Sequence, residues 1–259
     1  MRQVVTPTEQ IQAYVEDGIG WVILNRPEKH NAISEDMFAA MAALMVEWTA
    51  DDEVRVVVVR GVGDSSFASG ADMGELDQNT VGYPPPGARK GMTLVIPKPV
   101  IAMINGYAIG GGLMLAMDAD IRVAAHDAVF GIPAAPLGAG YPLVGVQRLV
   151  ALVGMAQAAT IMFMGDRFAA DTAERLGLVN KVVPQPQLEM ATKALATRIA
   201  QNAPMSMAAA KAVMNAVTAM PGSSIDGAQD LIDRCWVSSD FVEGRTAFAE
   251  KRTPQFRGR

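Results

Sequence analysis

Two short glycine-bearing segments carry the residues that could do chemistry in this sequence. The segment NGYAIGGGLMLAMD, residues 105–118, sets three consecutive glycines before an apolar run with the composition of a helix. A free backbone N–H at such a helix start, aided by the helix dipole, can hold a carbonyl oxygen that gains negative charge. An oxyanion site normally needs a second donor. The segment SFASGADMGEL, residues 66–76, offers one at Ala71, directly after Gly70.

Other chemistries fit these residues less well. A nucleotide-phosphate site is disfavoured, because the spacing G-x-G-x-x-G fails at Leu115 and no G-K-[ST] sequence occurs. A serine hydrolase is disfavoured because the chain contains no G-x-S-x-G sequence. One cysteine, Cys235, and two histidines, His30 and His126, predict no metal centre. Close packing of a strand against a helix also explains consecutive glycines, and the sequence leaves that alternative open.

Composition limits the class of protein. Of the 259 residues, 50% are hydrophobic and 19% are charged, which is typical of a globular chain with a sizeable core. The net charge of −5 and the absence of a basic stripe argue against nucleic acid as a partner. The N-terminal residues lack the apolar core of a signal peptide, and no apolar run approaches the roughly 20 residues of a membrane span. We therefore expect a cytoplasmic protein without membrane contact.

The elements that must position the two glycine segments follow from periodicity and turn residues. Two β-rich runs around Asp17-Gly18 predict a hairpin, and Ser34 is the expected N-cap of a helix that ends near Thr49. The runs EVRVVVVRG, KPVIAMING and DIRVA predict buried strands. Their alternation with helical segments predicts an α/β fold with a partly parallel core. Successive helical patterns then indicate a core over 1–185 and a helical subdomain over 186–259.

Eight segments, in this order along nearly the whole chain, resemble the crotonase superfamily, also called the enoyl-CoA hydratase/isomerase family. They are NRPEKHNAIS, FASGADM, KPVIAMINGYAIGGG, DIRVA, FGIPAAPLG, VGVQRLVALVG, AERLGLVNKVV and EGRTAFAEKRTPQF. The resemblance implies a spiral of ββα units followed by a C-terminal α-helical subdomain. It also implies a homotrimer or a dimer of trimers, and a lyase or isomerase of acyl-CoA and fatty acid metabolism.

The same resemblance implies a specific site. The backbone N–H groups of Ala71 and Gly111 would hold the thioester carbonyl oxygen of an acyl-CoA and stabilise an enolate. No cofactor is implied beyond the CoA that forms part of the substrate. The positions expected along the CoA moiety or the acyl group are Lys29, Ala32, Ala68, Gly70, Asp72, Met73, Gly110, Met114, Pro133 and Ala134.

The sequence departs from the family at the acid–base positions. The hydratases carry two glutamates there, and the corresponding residues are Met114 and Ala134. Neither side chain can move a proton, so ordinary hydration is in doubt. Tyr141, in LGAGYPLVG, is the candidate replacement, although it also suits the role of a half-buried loop aromatic.

Three functional hypotheses remain open. The first is an enzyme of this family that forms a thioester enolate with non-standard acid–base residues. The second is a decarboxylase or a thioester hydrolase. A similar tyrosine occurs in methylmalonyl-CoA decarboxylase, a branch of the family, but Pro133 stands where that branch carries a hydroxyl residue. The third is a non-catalytic acyl-CoA-binding protein.

Overall fold

The computed structural model describes residues 1–72 and 94–259 and shows a larger and a smaller β-sheet. Seven strands form the larger sheet: β1 Arg2–Val4, β2 Ile11–Glu16, β3 Ile19–Leu24, β4 Val56–Gly61, β6 Val100–Ile104, β8 Ile121–Ala125 and β11 Lys181–Val183. Their order in the sheet is β1-β2-β3-β4-β6-β8-β11. Strands β1 to β3 pair antiparallel, and the pairs from β3 onward are parallel.

A turn and a helix N-cap determine where the first strands and the first helix begin and end. Asp17 and Gly18 adopt φ angles of 53° and 78°, the left-handed pair that a two-residue hairpin requires, so the predicted hairpin is confirmed. The Ser34 hydroxyl accepts a hydrogen bond from the amide of Met37 and caps α1, Glu35–Ala50.

The predicted buried strands are confirmed, and their residues alternate between two hydrophobic clusters. Val57 and Val59 of β4 face a cluster that includes the large side chains of α1. Val56 and Val58 face the opposite cluster, which includes residues of α5, Leu188–Ala200. A strand buried on both faces needs no alternation of apolar and polar residues, which explains the continuous valine run.

A second sheet contains the four short strands β5 Ser66–Ala68, β7 Tyr107–Ile109, β9 Val129–Gly131 and β10 Phe168–Ala169. Their order in this sheet is β10-β9-β7-β5. Strand β7 follows β6 after the two residues Asn105 and Gly106. A Cβ atom on Gly106 would lie 2.0 Å from the carbonyl oxygen of Ser65, so only glycine fits this turn. Two strands of different sheets followed by a helix make the expected ββα unit.

The described residues contain eight α-helices. Besides α1 and α5, these are α2 Gly111–Asp118, α3 Leu143–Met164, α4 Ala170–Arg175, α6 Pro204–Val217, α7 Ile225–Trp236 and α8 Ser239–Glu250. Helices α5 to α8 occupy the C-terminal region, as the sequence predicted, while the boundary at 185/186 stays a prediction.

Helix α3 differs from the sequence expectation. By length and composition alone, Leu143–Met164 could cross a membrane. The expectation that no apolar segment reaches that length therefore does not hold by this criterion. Gly154 adopts φ 76° and ψ 162°, a non-helical conformation that divides the segment.

Candidate active site

Two glycine turns bring two backbone amides together. Gly70 adopts a φ of 123° before Ala71, and Gly110 adopts a φ of 53° before Gly111, the first residue of α2. A Cβ atom on Gly111 would lie only 3.2 Å from the amide nitrogen of Ala71. The amides of Ala71 and Gly111 therefore lie side by side at the N-terminal end of a helix.

Neither of these two amides donates to a protein acceptor within residues 1–72 and 94–259. Their neighbours, in contrast, are satisfied. The amide of Asp72 donates to the carbonyl of Ile33 at 3.0 Å, and the amide of Gly110 donates to the carbonyl of Gly131 at 2.8 Å. Gly111 is half-buried and Ala71 is exposed. Both donors are therefore accessible to a ligand oxygen, and two fixed N–H groups so close together have the arrangement of an oxyanion site.

The two amides open into a cavity of about 320 Å³, within the range of small-molecule sites. Its wall comes from the start of α1, the Gly70 turn, the cavity face of α2 and the loop between β9 and α3. The predicted site residues on this wall are Gly70, Ala71, Asp72, Gly110, Gly111, Met114, Pro133, Ala134 and Tyr141.

The remaining predicted residues are placed elsewhere. Ala32 and Ala68 are buried, and Lys29 is exposed at the end of the 3₁₀ turn Pro27–Lys29. None of these three is on the cavity wall. Met73 lies outside the described residues.

Close packing of a strand against a helix also explains one of the three glycines, Gly112. A Cβ atom on Gly112 would lie 2.0 Å from the carbonyl oxygen of Ala68, so α2 can approach β5 only with glycine there. Gly112 thus fixes the height of the helix above the sheet. Gly111 then presents its amide to the cavity.

An ion pair holds the turn that carries Ala71. The Arg26 guanidinium donates to the carboxylate of Asp72 at 2.8 Å and to the carbonyl of Ala32 at 3.0 Å. Both side chains are largely buried, which strengthens the pairing. The Asp72 side chain therefore supports the turn that carries Ala71.

Tyr141 stands beside the two amides. Its hydroxyl donates to the carbonyl oxygen of Gly110 at 3.0 Å. Burial, and secondarily the negative charge of Asp118, raise the pKa of Tyr141 far above its usual value near 10. The phenol is therefore neutral at physiological pH and holds its proton more tightly than a tyrosine in water does.

Gly145, which the sequence analysis did not single out, makes room for the ring of Tyr141. A Cβ atom on Gly145 would lie 2.7 Å from a ring carbon of Tyr141 and 3.2 Å from the sulfur of Met114. The missing side chain allows the first turn of α3 to pack against both residues. A glycine inside the apolar segment VGVQRLVALVG was the available signal.

Carboxylates that the sequence analysis missed also line the cavity. They are Glu35, exposed at the start of α1, and Asp118, buried at the end of α2. Residues Gly111, Met114, Leu115 and Asp118 are all on the wall and have the spacing i, i+3, i+4, i+7 of one helix face. That spacing was the signal for Asp118. In the part of the chain that the structure describes, no group of three metal-ligating side chains could hold an ion.

Comparison with known proteins agrees with this geometry. The family model for enoyl-CoA hydratase/isomerase matches residues 14–259. A short-chain-enoyl-CoA hydratase from Clostridium acetobutylicum is 35% identical over 247 residues, which cover 92% of this chain and 93% of that protein. A carnitinyl-CoA dehydratase from Salmonella typhi is 36% identical over 250 residues, covering 92% and 94%.

A solved structure supports the same assignment at the level of the fold. The crystal structure of an enoyl-CoA hydratase from Bacillus anthracis superposes with a TM-score of 0.85 at 30% identity, covering 97% of this chain and all of that one. With the family model matched over nearly the whole length, the chain belongs to the enoyl-CoA hydratase/isomerase family and has its crotonase fold.

Proposed function

We propose that this enzyme forms or consumes the enolate of an acyl-CoA thioester, whose carbonyl oxygen accepts hydrogen bonds from the amides of Ala71 and Gly111. The observation that carries the proposal is the pair of adjacent amides without a protein acceptor among the described residues. Negative charge moves onto the thioester oxygen as the enolate forms. Each fixed donor then stabilises the transition state by about 3 to 4 kcal/mol.

We assign the CoA moiety to the surface that leads to this turn. Ser69 ties the segment 29–32 to the loop that carries Ala71, because its amide donates to the carbonyl of His30 at 3.1 Å and its hydroxyl to that of Lys29 at 3.2 Å. In this proposal the exposed Lys29 ammonium lies near the phosphates. The acyl group enters the cavity between Met114 and the loop that carries Pro133 and Ala134. No cofactor beyond the substrate's own CoA takes part.

Tyr141 is the proposed proton donor. Its neutral phenol lies beside Gly110, one residue before the amide that polarises the thioester. In this step the enolate's electron pair forms a new bond between the α-carbon and the phenolic proton. The phenolate then recovers a proton from water. Met114 and Ala134 supply no proton, because a thioether and a methyl group do not ionise.

Decarboxylation is the second candidate, and the apolar character of Met114 and Ala134 on the cavity wall favours it. When the bond between the α-carbon and a carboxylate breaks, CO₂ leaves and the electron pair forms the enolate without a base. The same two amides hold the enolate oxygen, and Tyr141 protonates the α-carbon. Pro133, in place of a hydroxyl residue, argues against a close match to methylmalonyl-CoA decarboxylase.

Incubation of the protein with enoyl-, malonyl- and methylmalonyl-CoA in D₂O, read by mass spectrometry, separates these functions. Deuterium at the α-carbon without loss of mass elsewhere reports reversible enolate formation. Loss of CO₂ reports the decarboxylase, and free CoA reports a hydrolase. Binding of every thioester without any change of mass contradicts catalysis and identifies an acyl-CoA-binding protein.

A further inference from the structure

A second cavity, of about 360 Å³, lies where the end of α2 and the start of β8 meet the helices α3 and α6. None of its wall residues belongs to the wall of the candidate active site. The charged side chains described on this wall are Arg122, Arg148, Lys211 and Asp120. Three positive charges and one negative charge give the cavity a positive potential, which attracts an anion.

The one carboxylate on this wall already has its partners. Asp120 accepts a hydrogen bond from the ammonium group of Lys211 at 2.7 Å and another from the amide of Val100 at 2.7 Å. Lys211 is 8% exposed and also donates to the carbonyl of Lys98 at 3.0 Å. Lys211 and Asp120 therefore neutralise each other, and the positive potential comes from the two arginines.

The guanidinium group of Arg122 is buried and bonded to neutral groups. It donates to the carbonyl of Leu178 at 2.6 Å and to the carbonyl of Ala119 at 2.7 Å. Burial lowers the pKa of Arg122 to about 10; the charge of Asp120 raises it and that of Arg148 lowers it. The two guanidinium groups are therefore close enough to repel each other, and an anion beside them would offset that repulsion.

Arg148, in the first half of α3, is half-buried and makes few hydrogen bonds of its own. Its Nε is buried without a partner, and its Nη2 reaches the side-chain oxygen of Asn215 only at 3.4 Å. Its Nη1 donates to no acceptor within residues 1–72 and 94–259, and no carboxylate there forms an ion pair with it. A guanidinium group has five N–H donors, so most of those of Arg148 are available to a ligand.

The rest of the wall determines what kind of anion fits. An arginine binds a planar carboxylate through two parallel hydrogen bonds. Around Arg148 the wall is largely apolar, which favours a ligand that also has hydrocarbon to bury. The apolar side chains on it are Met117, Ala151, Leu152, Val213, Met214 and Val217.

We propose that this cavity binds a small organic carboxylate, which pairs with Arg148 while its short hydrocarbon chain packs on the apolar wall. The proposal does not depend on the proposed function, because the two cavities have no wall residue in common.

Titration of hexanoate, followed by ligand-observed NMR, tests the proposal with the unmodified protein and the variants R148Q, R148K and R198Q. Arg198 is an exposed arginine of α5 outside the cavity wall, so R198Q is the matched control for a lost surface charge. We expect R198Q to bind hexanoate like the unmodified protein and R148Q to bind it at least tenfold more weakly, as the loss of a charged hydrogen-bond partner implies. R148K keeps the charge without the planar group and should fall between them.

Two further ligands separate the carboxylate from the hydrocarbon chain. 1-Hexanol has the same chain without the charge and should bind the unmodified protein at least tenfold more weakly than hexanoate. Inorganic phosphate has charge without a chain and should also bind more weakly. Tighter binding of phosphate than of hexanoate would contradict the assignment to an organic carboxylate.

Other results would overturn the site itself. Equal affinity of R148Q and the unmodified protein for hexanoate would place the ligand elsewhere, for example in the candidate active site. Absence of hexanoate binding at millimolar concentration would also contradict the proposal, and neither result bears on the acyl-CoA site. If R148Q fails to fold, as a thermal melt would show, the comparison of R148K with R198Q decides.

Discussion

The hydroxyl of Tyr141 donates to the carbonyl oxygen of Gly110 at 3.0 Å, so the phenol is anchored one residue before the amide of Gly111. One peptide unit thereby connects two parts of the site: its carbonyl orients the proposed acid, and its N–H is one of the two proposed oxyanion donors. The peptide plane is rigid, and the positions of these two functions are therefore linked.

Tyr141→Phe should lower turnover by about 10² to 10⁴, the range for one general acid, while the dissociation constant of the thioester stays nearly unchanged. The ring and its packing on Gly145 remain, and only the hydroxyl is lost. Single-turnover rates and calorimetric titration measure the two quantities. Retention of full turnover by the phenylalanine variant would remove Tyr141 from the mechanism.

Gly111→Pro should reduce turnover by about 10² to 10³, because proline removes one donor. Proline is tolerated at the first position of a helix, so α2 should still form. Gly111→Ala is the matched control, since it adds a Cβ atom near Ala71 but keeps the N–H. The ratio of kcat/KM between the two variants measures what the N–H of residue 111 contributes to catalysis. Equal values would show that only the added bulk matters.

Gly145→Ala should lower turnover clearly, whereas the melting temperature should change little. The new methyl group would start 2.7 Å from the Tyr141 ring and 3.2 Å from the Met114 sulfur, so the ring must move away from Gly110. Gly140→Ala is the control, because a Cβ atom there meets nothing within 4 Å. Equal turnover in the two alanine variants would mean that the position of the ring does not matter.

The oligomer should be a trimer or a hexamer. Helices α7 and α8 expose large apolar side chains, among them Trp236, Val242 and Phe248, the last with 87% of its surface exposed. Apolar surface of this kind is typical of protein–protein contacts. Light scattering at micromolar concentration measures the mass directly. A monomer at that concentration would contradict this prediction, and Phe248→Glu should shift the distribution toward smaller species.

The sequence predicted the hairpin, the buried strands and α1, and it missed the short strands. The role of the two amides stays a prediction. The valine run of β4 and the Asp17-Gly18 hairpin follow from local chemistry. Strand β5, Ser66–Ala68, has three residues, too few for any periodicity, so the sequence did not predict it. Its pairing with β7 sets the height of the Ala71 turn, and that pairing depends on contacts distant in sequence.

Asp118 was missed for a related reason. The spacing from Gly111 and Met114 puts Asp118 on their face only if the helix continues as far as residue 118, and the sequence analysis did not follow that face beyond Met114. With α2 beginning at Gly111, Asp118 takes the i+7 position and faces the cavity. The apolar run alone indicated a helix but did not indicate which side of it meets the substrate.

The unmodified protein should hydrate crotonyl-CoA poorly. Hydration needs a water molecule fixed at one face of the double bond, and Met114 and Ala134 cannot fix it by hydrogen bonds or activate it. Each missing acid–base group corresponds to about 10² to 10⁴ in rate. Of the groups proposed for the reaction, the amides of Ala71 and Gly111 polarise the thioester and Tyr141 donates a proton. That assists enolate formation but provides no nucleophile.

Restoring carboxylates at both positions provides the converse experiment. Met114→Glu with Ala134→Glu should raise hydration of crotonyl-CoA above that of the unmodified protein. The gain should be limited, because Gly145 lies close to the side chain at 114 and a glutamate must fit beside it. The matched control is Met114→Gln with Ala134→Gln, which has the same size without the ability to ionise. Fast hydration by the unmodified protein, measured by loss of the enoyl absorbance, would show that a base other than residues 114 and 134 serves this site.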